Sequence, residues 1–228
     1  MITRSTILPS YTHLVDPKLK HTYLSFDDSG ALVIKSPKVS SQYLEALLIK
    51  KAGWIKKTQA RLKQKKGRVD EIHEGMPLYY LGESYPLKML QHSTKKTHLS
   101  FEETHFALRY HTFSPEILHQ AIDRYYKERA QTYIPSLVET WSKKMGLDYG
   151  SIRFRKTKRQ WGSCSSRNNL NFNTMLMKLP VECIEYVVVH ELAHIQHKHH
   201  QKTFWALVEK HMSDFKSRQA ILKTYTPL

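Results

Sequence analysis

Tyr186-Val187-Val188-Val189-His190-Glu191-Leu192-Ala193-His194 sets two imidazoles and a carboxyl into an apolar run. Ile184, Val187, Val188, Leu192 and Ile195 recur at the spacing of a buried helix, and Pro180 is placed to open it. A helix turns about 100° per residue, so positions four apart differ by about 40° and about 6 Å of rise. Both imidazoles of His190 and His194 can therefore reach one ion, and the histidine–nitrogen set suits zinc. A catalytic zinc keeps three protein ligands and one open position for water. Glu191, rotated about 100° from His190, falls beside that water rather than on the metal, where it can act as general base.

The third ligand is sought among His197, His199 and His200. A straight helix would carry His197 about 10.5 Å along the axis from His190, too far to share an ion. The chain must break and fold back, with no glycine available between Ile195 and Phe204. Histidine is one of the few residues enriched in the left-handed region. His199 is therefore expected in the turn, presenting His200 to the metal, with His197 and then His199 as the next candidates.

Upstream of this helix, residues 151–156 read as a basic strand, and Gln160 to Cys164 with Leu170 to Asn173 read as a hairpin. Ser114-Pro115-Glu116 carries the signature of a helix start, and the helix is expected to reach about Lys144, with Gly146 as its stop. Pro135 should kink or split it. Before it, residues 21–37 read as a hairpin around Asp28-Ser29-Gly30, and residues 78–110 as short strands broken at Gly82-Glu83. Between them, Ser40 or Ser41 caps a helix in which Leu44, Leu47, Leu48, Trp54 and Ile55 recur, with Gly53 as a candidate kink.

The 228 residues allow one large domain or two small ones. With 40% apolar and 25% charged residues, the composition is that of a globular protein, which excludes disorder as the main state. No apolar run approaches the roughly 20 residues a membrane span needs. The first twenty residues lack a secretory signal, and Cys164 with Cys183 makes no disulfide framework, so a cytoplasmic location is expected. Lys and Arg number 36 against 20 Asp and Glu, a net +16, which favours an anionic partner. Lys50, Lys51, Lys56, Lys57, Arg61, Lys63, Lys65, Lys66 and Arg68 could track a phosphate backbone, although a charge run on an amphipathic helix more often forms a solvated face.

Three stretches resemble the YgjP-like metallopeptidases, relatives of the SprT and WLM-type zinc proteases. They are Trp161-Gly162-Ser163-Cys164-Ser165-Ser166, the run from Tyr186 to His194, and His200 followed by Phe204-Trp205. The order of the N-terminal elements, with Trp54-Ile55 and Tyr80-Leu81-Gly82, extends the likeness over most of the chain. His199 and Gln201 stand where that family usually has asparagine and serine.

The resemblance implies an α+β protein in which a β-rich module with a basic helix (residues 1–112) precedes a zincin-like catalytic domain (residues 113–228). It implies one zinc per chain on His190, His194 and His200, with Glu191 as base. An edge strand near the metal is then expected to pair with an extended peptide or protein substrate, with Gly162, Ser163, Cys164, Asn171 and Asn173 as candidates. Against this, Trp161 and Phe172 can be core packing and Gly162 a bulge. Tyr186 is a candidate proton donor, although such a tyrosine more often packs. The alternatives to a cytoplasmic zinc peptidase are a nucleic-acid-associated protease, a hydrolase of a non-peptide bond, and a structural zinc protein.

Overall fold

Apolar side chains recur every second residue in the short strands and every third or fourth in the helices, and the elements follow those two periods. The computed structural model describes residues 9–27, 30–63, 66–67 and 71–227, with the side chains of Arg61 and Lys63 excepted. The chain forms two compact units, Met1–Lys65 and Lys66–Leu228. The boundary expected at residue 112 falls within the second.

In the first unit, β2 (Tyr23–Phe26) and β3 (Leu32–Ser36) pair antiparallel as the hairpin pattern predicts. Asp28 and Ser29 of its turn lie outside the described residues. β1 (Tyr11–Val15) adds parallel to β3, a pairing with no sequence signal because its residues are mostly exposed. Helix α1 (Ser41–Lys63) is capped by Ser40, whose hydroxyl accepts the Tyr43 N–H at 3.2 Å. It runs uninterrupted through Gly53. Leu44, Leu48 and Ile55 bury against Leu32 and Ile34, while Lys50, Lys51, Lys56 and Lys57 are exposed. Lys65 and Arg68 of the basic run lie outside the described residues.

The second unit holds the candidate site. β4 (Pro77–Tyr80), β5 (Glu83–Gln91), β6 (His98–Glu102) and β7 (His105–Tyr110) form a sheet in the order β4-β5-β7-β6. Leu81 and Gly82 both have positive φ, the two-residue turn that matches the twist of a hairpin. A Cβ on Gly82 would meet Pro180 Cα at 2.9 Å, so only glycine lets this turn seat against the start of the helix that follows Pro180. The Leu81 N–H donates to the Met177 carbonyl there, at 2.9 Å.

Helix α2 (Pro115–Met145) covers this sheet with Leu118, Ala121, Ile122, Tyr125 and Tyr126. Truncating Phe106, fully buried beneath it, would cost about 3–5 kcal/mol. Gly146 closes α2 in the left-handed conformation as expected. Pro135 does not split the helix: the carbonyl it leaves without a partner belongs to exposed Gln131, where water can satisfy it.

β8 (Ile152–Arg155), β9 (Gly162–Cys164) and β10 (Leu170–Asn173) form a second sheet in the order β8-β10-β9, so β9 lies at an edge. A 3₁₀ turn (Thr174–Lys178) leads into α3 (Val181–Gln196), followed by α4 (Lys202–His211) and α5 (Phe215–Leu222). Helix α3 is buried on nearly all sides, as its apolar composition requires. Among the described residues, no helix is long and apolar enough to cross a membrane.

Candidate metal centre

His190 and His194 project from α3 one turn apart, with ring centroids separated by 4.9 Å. The helix ends at His197, and the chain reverses to bring His200 back over them. His197, at the end of α3, is extended (φ −127°, ψ 101°), as is Gln201 (φ −83°, ψ 177°) ahead of the next helix, and the Gln201 N–H donates to the His199 carbonyl at 2.8 Å. The left-handed His199 expected from the sequence is not found: His199 has no positive φ, and the chain turns back without one. One ligand atom each from His190, His194 and His200 lies within 4.8 Å of the other two, and the Nε2 atoms of His190 and His200 are 3.0 Å apart.

The orientation of each ring has an identifiable cause. His194 Nδ1 pairs with the His197 carbonyl at 2.9 Å, which turns Nε2 toward the other histidines. His190 Nδ1 lies 3.4 Å from the Tyr186 hydroxyl, which in turn accepts from Gln219 Nε2 at 3.3 Å. Tyr186 is 3% exposed and stands behind His190 rather than in a cleft. His200 stacks on Trp205 at 5.6 Å, and Trp205 stacks on Phe215 at 5.4 Å. Fully buried Phe204 lies within 5.0 Å of all three imidazoles, centroid to centroid, and forms an apolar floor.

Burial pushes His190 down to about 3, with His194 and His200 adding to the effect, and burial likewise lowers His194. Both rings are therefore neutral at physiological pH, with nitrogen lone pairs available. Three convergent imidazoles over an apolar floor fit a divalent ion of the zinc type, and exposed His200 leaves the outer side open. Glu191 is 5% exposed, and burial pushes its carboxyl up to about 8.

The hairpin lies directly against this carboxyl. A Cβ built on Gly162 would stand 2.7 Å from both Cγ and Oε1 of Glu191. Pairing and pleat place Gly162 and Cys164 on the sheet face that Leu170 and Phe172 bury, and Ser163 with Asn171 on the opposite face. Asn171 Nδ2 donates to Ser163 Oγ at 3.4 Å. Gly162, Ser163, Asn171 and Asn173 help line a cavity of about 150 Å³; Cys164 is outside it.

The Asn173 amide serves the fold. Its nitrogen donates to the carbonyls of Thr157 and Gln160 at 2.7 and 2.9 Å, and its oxygen caps the 3₁₀ turn through the Met175 N–H. Half-buried Cys164 has its thiol raised by burial and lies 3.8 Å from Lys198 Nζ. That ammonium also donates to Ser165 O and Asn168 Oδ1, at 3.1 and 2.8 Å, tying the turn after α3 to the hairpin. The sequence offers no pattern that singles out Lys198, Gln219 or the His197 carbonyl; Arg155, in the same cavity, lay within a strand already seen as basic.

The YgjP-like family, metallopeptidase domain, matches residues 20–225. Among solved structures, the metallopeptidase zymogen abylysin of Pyrococcus abyssi is 24% identical, covering 40% of this chain and 92% of its own, with a TM-score of 0.38. The metallopeptidase zymogen jannalysin of Methanocaldococcus jannaschii is 18% identical, covering 39% and 92%, with a TM-score of 0.36. A comparison with curated proteins finds no significant match. With the match running over most of its length, the chain belongs to the YgjP-like family and is a metal-dependent peptidase.

Proposed function

We infer that this is a zinc-dependent peptidase with a zincin-like catalytic domain, in which His190, His194 and His200 hold one zinc and Glu191 is the general base. The observation that carries this reading is the convergence of three imidazoles from α3 and the turn after it, with a buried carboxyl adjacent in sequence and pressed against an edge strand. Bound zinc supplies Lewis acidity toward a water and a substrate carbonyl.

The protein's own groups do the rest. Glu191 takes the proton of the attacking water on a carboxylate oxygen and returns it to the departing amine nitrogen, so atoms and charge balance over the cycle. Strand β9 lies at the edge of its sheet among the described residues, and an extended polypeptide can add there as a further strand. Buried Phe204 and the packed α3 keep bulk water from the inner side, which strengthens the electrostatics at the carboxyl. Both cysteines are unpaired thiols, in keeping with a cytoplasmic setting.

Metal analysis of the purified protein, paired with incubation on a mixed peptide library before and after chelation, tests the reading. One zinc per chain and chelator-sensitive cleavage of internal peptide bonds are expected. A zinc-loaded protein that leaves the whole library intact would overturn it.

A further inference from the structure

Two cavities meet at Arg155. The first, of about 150 Å³, lies along β9 and β10 and includes Gly162 and Ser163. The second, of about 360 Å³, lies between α2 and β8 and is lined in part by Gln120, Asp123, Arg124, Lys127 and Lys156. A third, of about 350 Å³, shares Arg124 and adds Lys96 and Glu128.

Helical spacing on α2 sets Gln120, Arg124 and Lys127 on one face. The single carboxylate of the middle cavity, Asp123, is held through both oxygens by Lys156 Nζ at 2.7 and 2.8 Å. Arg124, Lys127 and Arg155 are exposed and make no ion pair among the described residues. The concave strip leading away from β9 thus holds three cations that pair with no carboxylate among the described residues.

We propose that this strip is an exosite for an acidic segment of the polypeptide substrate. The proposal rests on the peptidase reading above. A polypeptide is favoured over nucleic acid for two reasons. The first cavity spans the sheet from Gly162 and Ser163 of β9 to Arg155 of β8, so a polypeptide that leaves β9 across the sheet meets the cations. The aromatic rings lining it, Phe154 and Phe172, pack into the core and offer no stacking platform for bases. Guanidinium and ammonium groups held apart in a groove select carboxylates through attraction that falls with ionic strength.

The test uses the zinc-loaded full chain, an unfolded polypeptide rich in aspartate and glutamate, and a short neutral peptide that reaches only β9. Arg124→Glu/Lys127→Glu should raise KM for the acidic polypeptide about tenfold. Its kcat and cleavage of the neutral peptide should stay unchanged, and added salt should narrow the gap between parent and variant. Arg124→Gln/Lys127→Gln, which removes charge without reversing it, should show a smaller effect of the same sign. An unchanged KM for the acidic polypeptide, or equal losses on both substrates, overturns the exosite.

If the parent cleaves neither substrate, the peptidase reading falls, while fluorescence anisotropy of the labelled acidic polypeptide still judges the strip. Binding weakened in the variant upholds it, and absence of binding overturns it. Tighter binding of a single-stranded DNA oligonucleotide, lost in the same variant, also overturns it in favour of nucleic acid.

Discussion

Gly162 and Glu191 are packed against each other across the candidate site: the Glu191 side chain takes the space a Cβ on the edge strand would need, since that Cβ would stand 2.7 Å from Cγ and Oε1. Glu191 sits on a helix buried on nearly all sides and has little room to step aside. Gly162→Ala should therefore tilt the carboxylate away from the reacting water and lower kcat by about 100-fold. Zinc content should be unchanged, and steady-state kinetics with metal analysis checks both.

Glu191→Gln keeps the shape of the side chain and removes the base. Zinc binding should persist while kcat/KM on a peptide falls by about 10²–10⁴-fold. Comparing the metal stoichiometry and peptide turnover of parent and variant would reject the assignment if the variant cut at the parent rate.

His200 is the exposed member of the histidine set and arrives from a different segment than the other two. His200→Ala should lose stoichiometric zinc and activity together, whereas His199→Ala should retain both. Zinc measured after dialysis against a weak chelator separates the two outcomes.

Tyr186 and Gln219 stand behind His190 in a hydrogen-bonded row. Tyr186→Phe keeps the packing and removes the hydroxyl, so zinc affinity should fall about 10–100-fold with little loss of fold stability. Competition with a chromophoric zinc chelator reads the affinity directly. A proton donor to the substrate would instead lower kcat with affinity intact.

Lys178 is buried, donates to the Gly67 carbonyl at 2.6 Å and lies over the Tyr126 ring. Burial lowers its ammonium to about 7, with Lys156 lowering it further and Asp123 opposing. The unfolded chain holds that proton up to about pH 10.4. Between those values the unfolded state binds more protons, so the contribution of Lys178 to stability rises as pH climbs from about 7 toward about 10.4. Urea unfolding of the parent and Lys178→Met at pH 6.5 and 9.5 should show the difference moving in the parent's favour at the higher pH.

Local signals made the metal helix legible. The four-residue spacing of His190 and His194 is a property of one helix, and proline and glycine punctuate its surroundings as sequence rules expect. The hairpin of β9 and β10 was legible for the same reason. The return of His200 was expected, but its backbone route was not, because the chain turns back without the left-handed residue that composition can mark. Asn173 looked like a substrate group, yet its three partners come from the segment 157–160 and the 3₁₀ turn, and only the assembled fold brings them together. The parallel pairing of β5 with β7, and of β8 with β10, was likewise hidden, since crossover partners leave no local pattern.

The seat that Gly82 provides for Pro180 bears on how the enzyme can be shortened. Helix α2, which opens at Pro115, buries its apolar face on Leu87, Phe106 and Leu108 of the preceding sheet, and the turn at residues 81–82 braces the first residue before α3. A fragment cut to begin at the visible helix signature would expose that face to solvent and release the brace. The smallest excisable catalytic piece therefore begins ahead of β4, and strands that read from sequence as a separate module are part of the hydrolase's own scaffold.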